Sequence, residues 1–101
     1  MNIIRTNNSD VAKNWANGIP SSNHGKNYLT DGESLWSYNA LIGITTKNGQ
    51  KVLGEFTAAG GQFLSMTTST KHVSPARRVA CAVVAPETLM DYIEIGFILG
   101  L

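Results

Sequence analysis

The sequence is poor in cysteine, in histidine and in charge. Of its 101 residues, one is a cysteine, two are histidines and 15% are charged. The single cysteine, Cys81, excludes an intramolecular disulfide and a cysteine-based zinc site, and it is typical of a protein from a reducing compartment. We therefore expect a cytoplasmic protein, one that holds no metal.

A strong net charge and a long apolar run are also missing. Eight Lys and Arg against seven Asp and Glu leave a formal charge of +1, so no long-range field attracts nucleic acid or an anionic membrane. Contact with nucleic acid would need a local basic patch. Residues 1–10 lack the apolar core of a signal peptide. The apolar stretch 93–101 is about half the roughly 20 residues of a membrane-spanning helix, and we expect no membrane association.

The length predicts a single domain over residues 1–101, because a chain of about 100 residues sustains one hydrophobic core. Within it, residues 9–86 form the predicted core domain and residues 87–101 an apolar C-terminal extension. The end of this extension, 95–101, is compatible with a core element, an edge strand or an exposed self-association surface.

A first short helix is predicted at 10–17. Ser9 is a suitable N-cap, Trp15 lies at helical spacing from Val11 and would anchor the helix, and Gly18 supplies a left-handed residue after its end. The next residues, 19–27, are rich in turn formers and predict an exposed loop that contains His24.

A meander of three or four antiparallel strands follows. Asp31-Gly32 and Asn48-Gly49 are dipeptides whose positive φ angles suit tight turns between strands. The predicted strands are 28–29, 35–38, 41–46 and 51–56. The pattern is interrupted at 58–61 and resumes at 63–64, which predicts a further short strand leading into a cap.

A second helix is predicted at 75–85, because Ser74 is a good cap and Pro75 suits the first helical position. Its buried stripe is Ala76, Val79, Ala80 and Val83, with Cys81 as a buried packing residue and Arg77 and Arg78 outside the stripe. A third helix, 87–94, would bury Leu89, Met90 and Ile93. The expected fold is α+β: a small antiparallel sheet of three to five strands with two or three short helices on one face.

No complete catalytic motif is present, so we expect no enzyme and no cofactor. The densest group of polar side chains precedes the second helix. Hydroxyls, an ammonium, free helix amides and two guanidinium groups are typical of a site for phosphate or carboxylate. The alternative is that the hydroxyls cap the helix and the arginines are solvated. The candidate ligand-binding residues are Thr67, Thr68, Ser69, Lys71, His72, Arg77 and Arg78.

The aromatic residues allow two interpretations. Tyr28, Trp36 and Tyr38, on neighbouring predicted strands, could form a platform on which a base stacks. In a small domain such residues more often fill the core, and we expect Trp15 and Trp36 to do so.

Two segments resemble short uncharacterised proteins encoded by tailed bacteriophages. The first, 30–38, reads Thr-Asp-Gly-Glu-Ser-Leu-Trp-Ser-Tyr, and the second, 61–73, contains Thr-Thr-Ser-Thr-Lys-His and precedes a basic, alanine-rich stretch. The resemblance covers residues 9–86. It implies a phage or bacterial setting, with the host cytoplasm as the location, and it implies no particular activity.

Two functional hypotheses follow. The first is a non-enzymatic accessory protein of phage type, for example a host-interaction or counter-defence factor, that binds a nucleotide, a nucleic acid or a host protein through the 67–78 region. The second is an assembly protein that forms a homo-oligomer, or docks on a larger complex, through its apolar C-terminus.

Overall fold

The computed structural model describes residues 4–38, 40–54 and 74–94. In these ranges it contains seven strands and three helices. The strands are β1 (Ile4–Thr6), β2 (Ser21–Asn23), β3 (Tyr28–Thr30), β4 (Leu35–Ser37), β5 (Ala40–Thr45), β6 (Lys51–Gly54) and β7 (Ala82–Val84). The helices are α1 (Asn8–Ala16), α2 (Ser74–Arg77) and α3 (Pro86–Glu94).

The seven strands form one sheet in sequence order, β1 to β7. The first pair, β1–β2, and the last pair, β6–β7, are parallel, and the four pairs between them are antiparallel. The fold is α+β, as predicted. The sheet, however, has seven strands rather than three to five, and it is mixed rather than antiparallel.

The two parallel pairs place α1 and α2 together. Helix α1 lies between β1 and β2 in the chain, and α2 precedes β7. In both cases the chain passes from one strand to the next in the same direction across the sheet. Because a connection between parallel strands is almost always right-handed, both helices lie on the same face of the sheet. The two helices are in contact, which agrees with this placement.

Helix α1 confirms the first predicted helix with one correction at its start. The N-cap is Asn7, whose side chain accepts a hydrogen bond from the backbone amide of Asp10 at 2.8 Å. Ser9, the predicted cap, lies inside the first turn. Gly18 follows the helix with a φ of 75°, as expected for a residue that ends a helix in the left-handed conformation.

Strand β2 corrects the prediction that 19–27 is an exposed loop. Ser21 and Ser22 are buried and pair with β1 on one side and with β3 on the other. The sequence of β2 contains no apolar side chain, so its residues alone do not predict a strand. Its serine side chains are small enough to lie beneath α1, and hydrogen bonds to the two neighbouring strands satisfy its backbone. His24 lies beyond the strand and is exposed, as predicted.

The Asn48-Gly49 turn confirms the predicted hairpin between β5 and β6. Gly49 has a φ of 84°, and its amide donates to the carbonyl of Thr46 at 2.8 Å. The amide of Thr46 in turn donates to the carbonyl of Gln50 at 2.9 Å. The turn dipeptide therefore sets the register of the hairpin.

The prediction of a helix over 75–85 is wrong. Helix α2 ends at Arg77, and the chain then enters β7, whose residues pair in parallel with β6. The amide of Cys81 donates to the carbonyl of Lys51 at 2.7 Å just before the strand. Alanines favour a helix locally, but the ladder to β6 and the β-branched pair Val83-Val84 favour a strand.

The core joins the helices to the centre of the sheet. Among the described residues its fully buried side chains are Val11, Ala12, Trp15, Tyr28, Leu35, Ile42, Ile44, Val52, Leu53, Ala76 and Leu89. Helix α3, which contacts β5 and β6, confirms the third predicted helix within one residue at its start. It buries Leu89, but Met90, expected in the core, is 49% exposed.

Trp15 reaches from α1 across the face of β5. A Cβ atom on Gly43 would lie 2.8 Å from Cζ2 of Trp15 and 3.0 Å from Cβ of Leu35. Glycine at this position therefore lets the indole ring lie directly on the strand backbone.

Gly43→Ala should lower the free energy of unfolding by about 1–3 kcal/mol, because the added methyl group overpacks the contact with the Trp15 ring. Chemical denaturation measures this change. Gly25→Ala is the matched control, since its Cβ would meet the nearest atom, in the Asn27 side chain, at 3.4 Å. Equal stability of the two variants would contradict the packing of Trp15 on Gly43.

Candidate functional site

The structure describes two of the seven predicted ligand-binding residues. Thr67, Thr68, Ser69, Lys71 and His72 lie outside the described residues. Arg77 and Arg78 are exposed at the end of α2, in agreement with their predicted position outside the buried stripe. Helix α2 has four residues instead of the expected eleven, so its dipole contributes much less to anion binding than the predicted helix would.

The three aromatic residues of the predicted stacking platform do not share a surface. Tyr28 is fully buried, and burial raises the pKa of its phenol well above the ordinary value. Trp36 is half-buried rather than in the core, and Tyr38 is 46% exposed with a φ of 56°. The core role expected of Trp15 is confirmed, because its side chain is fully buried.

Cys81 is exposed, so its prediction as a buried packing residue is wrong. Its Sγ accepts a hydrogen bond from the backbone amide of Lys51 at 3.4 Å. Within the described ranges, no group of three His, Cys, Asp or Glu side chains is arranged to hold a metal ion.

Lys51 is the polar residue with the most unusual environment among those described. It stands at the start of β6 and is 7% exposed. Its Nζ donates to the carbonyl of Gly32 at 2.8 Å and to Oγ1 of Thr45 at 2.7 Å. Both acceptors are uncharged, and the ammonium also lies 5.9 Å from the ring centroid of Trp15, within range of a cation–π interaction.

The turn at 31–34 holds the acceptors of this cluster in place. Oδ1 of Asp31 accepts the amides of Glu33 and Ser34 at 2.9 and 2.8 Å. The carbonyl of Glu33 accepts Nε1–H of Trp15 at 2.9 Å and Oγ1–H of Thr45 at 2.7 Å. One short turn thus connects α1, β5 and β6 through hydrogen bonds.

Burial lowers the pKa of Lys51, and electrostatic interactions with Glu33, Asp31 and Cys81 partly oppose this shift. An ammonium without a paired carboxylate is costly to bury unless protein acceptors replace its water. Here the ammonium donates hydrogen bonds to Gly32 and Thr45. This arrangement indicates that Lys51 is a structural anchor rather than an amine that acts on a substrate.

The buried ammonium makes stability depend on pH. Because the pKa of Lys51 is lower in the folded protein than in the unfolded chain, the unfolded chain binds more protons between the two values. The free energy of unfolding of the wild type should therefore rise, relative to that of Lys51→Met, as the pH increases towards 10.5.

Denaturation of both proteins at a series of pH values measures this difference. Lys47→Met removes an exposed ammonium and controls for the loss of one positive charge. A difference between wild type and Lys51→Met that is constant or falls over this pH range would contradict the buried position of the ammonium.

The second feature is the β7 edge, defined here as Ala82, Val83 and Val84. The strand is bonded to β6 on one side, and no described strand lies on its other side. Ala82 is exposed, and Val83 is 39% exposed although it was predicted in the buried stripe of a helix. An exposed apolar strand at the edge of a sheet is a template for pairing with another chain.

The opposite edge differs in charge. Strand β1 contains Arg5, which is exposed, and a charged side chain on an edge strand opposes pairing between sheets. From Val79 to Pro86 the chain carries no charge. The β7 edge is therefore the less protected of the two described edges.

Sequence reasoning missed this edge, although a signal for it exists. The uncharged run 79–86 contains three valines and lies between Arg78 and Glu87. Charged residues that flank an apolar, β-branched run are typical of a strand whose edge needs protection from aggregation. The alanines in the same run favoured the helical interpretation.

Comparisons with known proteins return no match: no family model, no curated protein and no solved structure is similar to this chain. The resemblance to short phage proteins thus stays a prediction from two motifs. Among the described helices, none has the length and apolar character needed to cross a bilayer.

Proposed function

We propose that this protein is a non-enzymatic accessory protein of phage type that acts by direct contact with another protein chain, through the β7 edge. The observation that carries the proposal is the exposure of an uncharged strand, the last one in the part of the sheet that the structure describes. A chain that adds to such an edge gains backbone hydrogen bonds, each contributing about 0.5–1.5 kcal/mol.

The side chains near the edge support binding rather than chemistry. The ammonium of Lys51 is bound to Gly32 and Thr45 inside the domain. Cys81, beside the edge, has the backbone amide of Lys51 as its hydrogen-bond donor. A nucleophilic cysteine needs an activating base, and among the described residues the hydrogen bond to the Cys81 side chain comes from a backbone amide rather than from a base.

Site-specific crosslinking tests the proposal. Replacing Val83 by the photo-crosslinking amino acid p-benzoylphenylalanine should yield covalent adducts of discrete mass when producing cells are irradiated. The same replacement at Lys13, which is exposed on α1, is the matched control and should yield none. Adducts in equal amount from both positions, or none from position 83, would remove the β7 edge as the contact surface.

A second candidate function is the binding of a phosphate-bearing ligand, and the exposure of the adjacent Arg77 and Arg78 favours it. Guanidinium groups bind phosphate through paired, charge-assisted hydrogen bonds. The change Arg77→Ala with Arg78→Ala should abolish binding of ATP and of inorganic phosphate, measured by titration calorimetry. Because both side chains are exposed, the melting temperature should change little. Undiminished binding in the double variant would reject this function.

A further inference from the structure

We propose that Asn48 is a site of spontaneous modification, at which the side chain closes on the backbone nitrogen of Gly49 and becomes an aspartyl or isoaspartyl residue. The site lies in the hairpin between β5 and β6, and the proposal is independent of the β7 edge. The sequence contains a second Asn-Gly dipeptide, Asn17-Gly18, and the structure separates the reactive pair from the protected one.

The reaction needs only the two neighbouring residues and water. The nitrogen of Gly49 attacks Cγ of Asn48, so that a C–N bond forms and the Cγ–Nδ2 bond breaks. Ammonia leaves with the proton of the Gly49 amide. Water then opens the five-membered succinimide ring at one of its two carbonyls, and the product is aspartate or isoaspartate. Glycine favours the attack because it has no side chain to shield the nitrogen.

The hairpin turn leaves the Asn48 side chain available for this attack. Residues 47–50 are exposed. The hydrogen bonds described within the turn join Thr46, Gly49 and Gln50, and they do not include the Asn48 side chain. The amide of Gly49 donates to the carbonyl of Thr46 at 2.8 Å, so the attack requires one turn bond to open. Such a bond, at the exposed tip of a hairpin, opens at a lower free-energy cost than bonds in the core.

The end of helix α1 protects Asn17, although this residue is exposed as well. Nδ2 of Asn17 donates to the carbonyl of Lys13 at 2.9 Å, and its backbone amide donates to the same carbonyl at 3.1 Å. The amide of Gly18 donates to the carbonyl of Trp15 at 3.2 Å. Attack on Cγ would therefore break the side-chain bond and unwind the end of a helix that the buried Trp15 anchors.

The dipeptide Asp31-Gly32 can form the same ring by loss of water, but its groups are also held in place. Oδ1 of Asp31 accepts the amides of Glu33 and Ser34 at 2.9 and 2.8 Å. Gly32 is buried, and its amide donates to Oγ1 of Thr30 at 2.9 Å. Of the three dipeptides, Asn48-Gly49 is thus the one whose side chain the described structure leaves unrestrained.

Modification at position 48 would act on the hairpin that carries Lys51. Isoaspartate adds a methylene group to the main chain of the turn and thereby disturbs the register of β5 and β6. Strand β6 begins at Lys51, whose ammonium binds Gly32 and Thr45. The aspartyl product keeps the normal main chain and adds only a charge at an exposed position. The isoaspartyl form should therefore unfold at a lower denaturant concentration than the aspartyl form.

Incubation of the purified full-length chain at mildly alkaline pH tests the proposal. Digestion and mass spectrometry then locate each conversion of an amide to a carboxyl group and distinguish isoaspartyl from aspartyl peptides. In the folded protein position 48 should react at least about tenfold faster than position 17, because the second site must first open the end of a helix. In concentrated urea the two positions should react at similar rates, since the unfolded chain restrains neither side chain.

Two glutamine variants are the matched controls, because glutamine keeps the amide but closes a ring much less readily. Asn48→Gln should remove the fast conversion, and Asn17→Gln should leave the rate at position 48 unchanged. Denaturation of the separated isoaspartyl form and of Asn48→Asp measures the effect on the hairpin.

Equal rates at positions 48 and 17 in the folded protein would overturn the proposal. A folded protein that stays unmodified at position 48 while the chain in urea is converted would also overturn it. An isoaspartyl form as stable as Asn48→Asp would reject the effect on the hairpin.

Discussion

The packing of Trp15 against the sheet is the contact on which the rest of the structure depends. This side chain, fully buried, lies on the backbone of Gly43 and donates its indole hydrogen to the carbonyl of Glu33. The nine-residue helix α1 is too short to be stable by itself in water. It is held through this ring, and the turn at 31–34 is held with it.

The anchor extends from Trp15 to the far edge of the sheet through Lys51. The ammonium of Lys51 lies over the indole ring and binds Gly32 and Thr45. The backbone of the same residue binds Cys81 immediately before β7. The core under α1 and the position of the exposed edge are therefore set by one residue at the start of β6. The cost of burying its charge is offset by acceptors that the 31–34 turn and β5 provide.

The elements that were predicted correctly have strong local signals. Gly18 after α1, Asn48-Gly49 between β5 and β6, and Pro86 at the start of α3 all act through backbone angles that few other residues adopt or impose. The burial of Trp15 follows from its size and its place on the apolar side of α1. Arg77 and Arg78 were correctly expected at the surface, because they fall outside the apolar pattern around them.

The elements that were missed depend on neighbours distant in the chain. Strand β2 has polar residues and becomes a strand because β1 and β3 flank it. Strand β7 comes from an alanine-rich stretch that α2 would otherwise continue, and the ladder to β6 decides its conformation. Lys51 gave no signal in the sequence, since an isolated lysine in a hairpin is usually solvated. Its burial depends on α1 lying over the hairpin.

The sequence by itself determined that this is a small α+β domain, where its tight turns lie, and that Trp15 is in its core. These properties are local. Turn residues restrict their own dihedral angles, and the apolar stripe of a helix must be buried whichever segment of the chain packs against it. Only the tertiary structure decided that the described part of the sheet has seven strands, that Lys51 is buried, and that Val83 is exposed on the last of these strands. Each of these depends on pairing between segments far apart in the chain, and such pairing is chosen by the packing of the whole domain rather than by any one segment.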